Sequence, residues 1–113
     1  MENPRMANLQ MELLEVGSGA LPEPGQIVVV HYTGWLPDGT KFDSSVDRNE
    51  AFEVAAGVGQ VIAGWDMVLV RMRVGDKMKV SIPPELGYGA SGVNGVIPPN
   101  STLIFEMELV ELK

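Results

Sequence analysis

The sequence predicts an α+β domain, an antiparallel β-sheet with one short α-helix, and three observations lead to it. Apolar residues alternate with other residues at a period of two in four stretches, near residues 9–13, 26–33, 77–82 and 103–110. One stretch only, Val61 to Val70, spaces its apolar residues by three and four. Gly- and Pro-rich clusters separate these runs, so the elements are short and joined by turns.

The elements follow in order. Leu9, Met11 and Leu13 alternate with Gln10 and Glu12, the pattern of a half-buried strand, and Gly17-Ser18-Gly19 ends it. After Pro22-Glu23-Pro24-Gly25, the run from Gln26 to Thr33 is β-branched and aromatic. Val28, Val30 and Tyr32 fall on one face and Ile27, Val29 and His31 on the other, which predicts a central strand. Pro37-Asp38-Gly39-Thr40 is a turn signal leading back through Phe42, a hairpin. In the helix, Ile62, Trp65 and Leu69 share one stripe, and the nearby Gly75 keeps it short. Met78, Val80 and Ile82 alternate with Lys77, Lys79 and Ser81, whose face meets water, until Pro83-Pro84 stops the strand. Leu103, Phe105, Met107 and Leu109 alternate with Ile104, Glu106, Glu108 and Val110 in a long last strand. Residues 1–8 read as an N-terminal tail with freedom to flex, and residues 9–113 as one domain.

Composition narrows the function. The chain has 113 residues, of which 45% are hydrophobic and 20% charged, as in a folded globular protein. A net charge of -7 and a pI near 4.5 oppose binding to nucleic acid or anionic lipid, which call for clustered Lys and Arg. With no cysteine there is no disulfide, thiolate zinc site or thiol catalysis. The first residues lack the apolar core of a secretory signal and no window approaches a membrane span, so a cytoplasmic protein is expected.

The few aromatic residues are concentrated in Gly-punctuated segments: Val30-His31-Tyr32-Thr33-Gly34, Lys41-Phe42-Asp43-Ser44-Ser45, Val61-Ile62-Ala63-Gly64-Trp65 and Gly87-Tyr88-Gly89-Ala90. Tyr32, Phe42, Tyr88 and Phe105 are placed where alternation or loop position turns them towards Trp65, with the Asp43 carboxylate at the edge. Such an apolar, aromatic-walled cleft suits a small molecule or peptide.

Other motifs fail on their context. Gly87-x-Gly89-x-x-Gly92 has the spacing of a dinucleotide loop, but Gly92-Val93-Asn94-Gly95 and Pro98-Pro99 leave no helix to open at its third glycine. Asp43, Ser45, Asp47 and Asn49 resemble the first half of an EF-hand calcium loop, yet Arg48 stands where Gly is needed and Val54 where Glu is needed. His31, the single histidine, points away from the aromatic cluster and supports no Ser/His/Asp triad, so a structural role is expected. Asn100-Ser101-Thr102 is read as turn chemistry. No metal or cofactor is expected.

From about Leu13 to Leu112 the chain resembles the FKBP-type peptidyl-prolyl isomerases, the immunophilins that bind tacrolimus and rapamycin. The ordered matches are Val30-His31-Tyr32-Thr33-Gly34, Phe42-Asp43-Ser44-Ser45, Asp47-Arg48-Asn49, Val61-Ile62-x-Gly64-Trp65, Tyr88-Gly89-Ala90 and Ile97-Pro98-Pro99-x-x-Thr102-Leu103-x-Phe105. The resemblance implies a twisted antiparallel sheet wrapped around one short helix. It implies a protein that assists folding by acting on proline-containing peptides and unfolded or folding proteins; a monomer is the default expectation, and no nucleic acid or membrane partner is expected from the charge and hydropathy.

Carried over, Trp65 resembles the pocket floor under the substrate proline ring, with Val61 and Ile62 beside it. The Ile62 amide and the Tyr88 hydroxyl resemble donors to ligand carbonyls. Tyr32, Phe42, Asp43 and Phe105 match the surround of the carbonyl next to the twisting amide, Phe52, Val96 and Ile97 match the wall, and Arg48 orients Tyr32 or Asp43 from behind. Val54, Ala63 and Val93 depart from commonly seen residues, at positions expected on the rim. The short loop from Tyr88 to Ile97 leaves no room for the inserted chaperone domain of one bacterial branch. The implied activity is acceleration of X-Pro rotation by non-covalent stabilisation of the twisted amide. The alternative is a module that binds proline segments with little turnover.

Overall fold

In the computed structural model, which describes residues 9–113, the alternating runs become strands of one sheet. The expected tail, residues 1–8, lies outside the described residues. The strands are β1 (Gln10–Glu15), β2 (Ile27–Trp35), β3 (Lys41–Ser44), β4 (Phe52–Ala55), β5 (Lys77–Ile82) and β6 (Leu103–Leu112). All pairings are antiparallel, in the order β1-β5-β6-β2-β3. One edge of β2 is shared: β4 pairs with it over Ile27 to Val30 and β3 over Thr33 to Trp35. The other edge pairs with β6, so β2 is the central strand that apolar residues on both its faces predicted.

The expected helix forms as α2 (Ala63–Leu69), shorter than the stripe because Ile62 is an extended N-cap. Trp65, Val68 and Leu69 join Val28, Val30, Val80, Ile82, Phe105 and Met107 in one core. Helix and sheet approach closely because Gly64 has no side chain; a Cβ there would lie 2.7 Å from Ile82 Cγ2. No described helix is long and apolar enough to cross a membrane.

β1 departs from expectation. All six of its residues are exposed, Met11 and Leu13 included, and only Leu9, just before it, is buried. It is the outermost strand and pairs with β5 alone, so its alternation has no layer to face. Two elements were not foreseen, β4 and the single turn α1 (Ser45–Arg48), each four residues long and too short for a periodic signal. Between β5 and β6 the chain makes a 3₁₀ turn at Pro84–Leu86 and a narrow loop closed by a bridge between Val93 and Ile97. At Gly92 the N–H donates to Tyr88 O at 3.1 Å, a turn with no helix opening. Asn100 takes a left-handed backbone (φ 58°) and Ser101 Oγ donates to Pro98 O at 2.7 Å, which is turn chemistry.

Candidate active site

The site forms where the central strands, α2 and two loops converge. Tyr32 comes from β2, Phe42 and Asp43 from β3, Phe52 from β4 and Phe105 from β6. With Gly59, Gln60, Val61, Ile62, Trp65 and Tyr88 they line a cavity of about 490 Å³. Residues distant in sequence meet because β2 lies between β6 on one side and β3 with β4 on the other. Trp65 is buried at the floor, while Phe52 and Tyr88 are partly exposed at the mouth.

The rings pack edge to face. Tyr32 and Trp65 centroids are 4.9 Å apart at 80°, Trp65 and Phe105 5.4 Å at 83°, and Phe42 and Phe105 5.6 Å at 84°. These geometries set the positive edge of one ring against the negative face of the next. Gly34 makes the last pair possible, since a Cβ there would lie 2.6 Å from Phe42 Cζ and 2.8 Å from Phe105 Cε1.

One polar group is built into this wall. Tyr32 donates its hydroxyl hydrogen to Asp43 Oδ2 at 2.5 Å, and Arg48 donates to Asp43 Oδ1 and to the Tyr32 oxygen, the latter at 3.0 Å. The Ser44 N–H donates to Asp43 Oδ1 at 2.9 Å. Burial alone would raise the Asp43 pKa, but the bonds from Tyr32 and Arg48 outweigh it and hold the carboxyl below its usual range. The Tyr32 phenol is pushed up, first by burial and then by its bond to Asp43. Tyr88 is raised as well, by burial and by the Asp43 charge. Asp43 is therefore a held anion at neutral pH, and both tyrosines are neutral donors.

The donors differ in what they are free to do. Tyr32 is committed to Asp43, whereas the Tyr88 hydroxyl and the Ile62 N–H have no protein partner among the described residues. Trp65 Nε1 is buried and likewise unpartnered. Free donors in an apolar hollow suit a ligand that brings carbonyl oxygens.

Three polar residues hold the wall in a role the sequence did not reveal. Ser45 is fully buried; its Oγ accepts from the Tyr32 N–H at 2.7 Å and lies 3.0 Å from His31 Nδ1. His31 thus braces the strand from outside the pocket, as expected. Gln60 Oε1 accepts from the Ala55 N–H at 3.0 Å, and Asp66 accepts from the Gly57 and Gly59 N–H groups. Among these only Ser45 belonged to a noted motif, and an isolated Gln or Asp has no spacing by which to be found.

Of the expected site residues, Tyr32, Phe42, Asp43, Phe52, Val61, Ile62, Trp65, Tyr88 and Phe105 are brought together, with Arg48 behind Tyr32 and Asp43. Val96 and Ile97 are not. They line a second hollow with Leu36, Val93 and Pro98, and Ile97 is also packed into the core. Val54 is buried against the core and is not a rim residue, because β4 turns it inward. The EF-hand-like residues are engaged elsewhere: Asp43 and Ser45 with Tyr32, and Asp47 with Lys41 at 2.5 Å.

Comparison with known proteins agrees with this geometry. Residues 19–110 match the family model described as FKBP-type peptidyl-prolyl cis-trans isomerase. An "FK506-binding protein" of Neisseria meningitidis serogroup A is 52% identical over 107 residues, 95% of this chain and 98% of that protein. An "FK506-binding protein 1A" of Aspergillus fumigatus is 54% identical over 100 residues, covering 88% and 89%. The "FK506-binding protein 1" of Saccharomyces cerevisiae is 47% identical over 106 residues, 93% of each chain.

Proposed function

Since the chain belongs to the FKBP-type peptidyl-prolyl cis-trans isomerase family, we propose that its aromatic cavity is the catalytic site and works by holding the X-Pro amide as it twists. The observation that carries this reading is the convergence of Tyr32, Phe42, Trp65 and Phe105 from four elements around one cavity, with unpartnered donors at its edge.

Rotation about X-Pro is slow because twisting breaks amide resonance, a barrier of about 18–20 kcal/mol. The planar amide is more dipolar than the twisted one. Transfer from water into an apolar hollow therefore weakens the planar form relative to the twisted form. Trp65 supplies the floor on which the proline ring rests, and Tyr32, Phe42 and Phe105 exclude water from the carbonyl before it. The Ile62 N–H and the Tyr88 hydroxyl hold backbone carbonyls on either side, so that rotation is confined to one bond. No covalent bond to substrate forms, and no proton is transferred. Stabilising the twisted state by about 4–5 kcal/mol more than the planar state gives roughly a thousandfold acceleration or more.

Asp43 serves as a fixed anion rather than a base. Its bonds to Tyr32 and Arg48 neutralise the charge locally and stiffen the wall against the incoming carbonyl. Val96 and Ile97, in the second hollow, are assigned to residues flanking the proline in a longer substrate. The natural substrates are exposed X-Pro bonds of peptides and folding proteins, with an apolar residue before proline. The same hollow accepts macrolides of the tacrolimus and rapamycin type, a reading supported by relatives named for FK506 binding. The protein is assigned to the cytoplasm as a monomer.

The test is exchange NMR on a Leu-Pro peptide with the whole chain. Catalysis merges the cis and trans signals at substoichiometric protein. Peptide binding with unchanged exchange would establish the binding-module alternative instead. Tacrolimus titrated against Trp65 fluorescence, in a Trp35→Phe background so that one indole reports, gives a saturable response if the cavity is the ligand site.

A further inference from the structure

The wall formed by Gly59, Gln60, Val61 and Ile62 has no regular secondary structure of its own, yet it carries a free donor and faces the cavity. Its approach runs through Gly57 (φ 76°) and Gly59 (φ 84°), left-handed conformations that favour glycine and turn two backbone N–H groups in the same direction. Both N–H groups end on one side chain. Gly57 N–H donates to Asp66 Oδ1 at 3.0 Å and Gly59 N–H to Asp66 Oδ2 at 2.8 Å.

Asp66 follows Trp65 in the first turn of α2, about 100° round the helix, so that the indole forms the floor while the carboxylate reaches the loop. The return path is also tied, since Trp65 N–H and Asp66 N–H both donate to Ile62 O, at 3.0 and 3.2 Å. Gln60 Oε1 fixes the loop to the end of β4 through Ala55. Floor and wall are thus joined through a single helical turn.

We propose that Asp66 is a positioning residue for the site: by clamping Gly57 and Gly59 it sets the distance from the Trp65 floor to the Val61–Ile62 wall, and so the affinity for the proline segment. The inference deepens the isomerase reading and rests on it for the ligand, a proline peptide. Asp66 touches no substrate. It raises the fraction of molecules whose wall is already in the binding position, and apparent affinity scales with that fraction. Asp66→Asn keeps the size but loses the second carboxylate acceptor, releasing one of the two glycines.

The test combines peptide binding, bound-state exchange and amide hydrogen exchange on the whole chain. In Asp66→Asn the Leu-Pro peptide binds about 3- to 10-fold more weakly, as when one molecule in about three to ten keeps the wall in place. The isomerisation rate of bound peptide stays within about twofold, because the chemistry-bearing rings are untouched. Amides of Gly57 and Gly59 exchange faster, those of β6 do not, and Asp66→Glu, which restores two acceptors, recovers part of the affinity. Glu111→Gln removes one exposed charge elsewhere and leaves affinity unchanged. Unaltered affinity and unaltered Gly57 and Gly59 exchange in Asp66→Asn would overturn the proposal. So would affinity and bound-state rate falling together with a lower melting temperature, the mark of a general loss of stability. If the native chain neither binds nor isomerises the peptide, the functional reading fails, and amide exchange at Gly57 and Gly59 decides the clamp by itself.

Discussion

Gly34→Ala tests the packing from which the cavity is made. Gly34 lies on β2 opposite Asp43 of β3 and opposite Phe105 of β6, so its backbone is held from both sides and has nowhere to retreat. The added Cβ would stand 2.6 Å from Phe42 Cζ and 2.8 Å from Phe105 Cε1, closer than real Cβ atoms come. Both rings line the cavity, but Phe105 is buried in the core whereas Phe42 is only partly buried against it. The Phe42 ring therefore moves, into the empty volume. Overpacking of this kind costs about 1–3 kcal/mol, and replacing Gly in a strand returns about 0.5–1 kcal/mol. A net loss of about 1–2 kcal/mol lowers the melting temperature by roughly 4–8 °C in a domain of this size. The functional effect is larger than the stability effect, because the displaced ring occupies ligand volume: peptide affinity falls by about tenfold or more, some 1.4 kcal/mol. Thermal denaturation and a peptide titration on the folded variant measure both. A variant with native melting temperature and native affinity would show that the rings tolerate the atom and that their placement does not depend on Gly34.

Tyr88→Phe removes a hydroxyl with no partner among the described residues; stability changes by under about 0.5 kcal/mol while peptide affinity drops by roughly 3- to 10-fold, one hydrogen bond's worth, by calorimetry. Ser45→Ala strips a buried hydroxyl from the Tyr32 N–H and from His31, and denaturant unfolding should show a loss of about 1–3 kcal/mol. For pH, Asp43 is lowered on folding, so its contribution to stability is present above its unfolded pKa and is lost as pH falls through the folded one. Tyr32 is raised, so its contribution is present below its unfolded pKa and is lost as pH rises through the folded one. Between those limits neither group titrates, and isomerisation of the Leu-Pro peptide is flat from about pH 6 to 8, since no acid or base acts. A bell-shaped profile that His31→Gln abolishes would contradict this.

The legible parts of the fold were those whose neighbours on both sides are set by alternation. β2 and β6 carry apolar runs long enough to state which face is buried, and Leu103, Phe105, Met107 and Leu109 are buried as read. The same signal misled at β1, because alternation reports which residues share a face and not whether anything covers it. α1 and β4 are single-turn and four-residue elements stabilised by what surrounds them: Ser44 capping Asp47 N–H, and pairing to β2. The pairing to β2 is not local, and the Ser44 cap, though local, has no periodic run after it to mark a helix. At the site, aromatic residues were found because they are few and concentrated. Asp66, Gln60 and Ser45 were not found because their importance depends on which backbone N–H each meets. Val96 and Ile97 were assigned to the pocket by resemblance, yet with Leu36 they line a second hollow.

Several large apolar residues are exposed, and two groups of them differ in a way that bears on the proposed function. At β1, Met11, Leu13 and Leu14 are exposed on the outermost strand, among Gln10, Glu12 and Glu15. At the cavity, Phe52 and Tyr88 are exposed around a concave space whose floor is a buried indole with an unpartnered Nε1. Leaving apolar surface uncovered costs about 25 cal/mol per Å². An unpartnered buried donor costs about 1–3 kcal/mol besides. A chain free to close the hollow would gain on both counts by letting Phe42 or Tyr88 fall inward. It does not, because Phe42 is held edge-on against Phe105 over Gly34, Tyr32 is fixed at its hydroxyl by Asp43 and Arg48, and the Val61–Ile62 wall is tied to α2. The polar bonds that brace the cavity are made between protein groups, and the Ile62 N–H and Tyr88 hydroxyl stay without a protein partner among the described residues. An exposed apolar patch without such bracing is only a sheet edge; a braced one, with donors unpartnered among the described residues, has the form that the proposed X-Pro site requires.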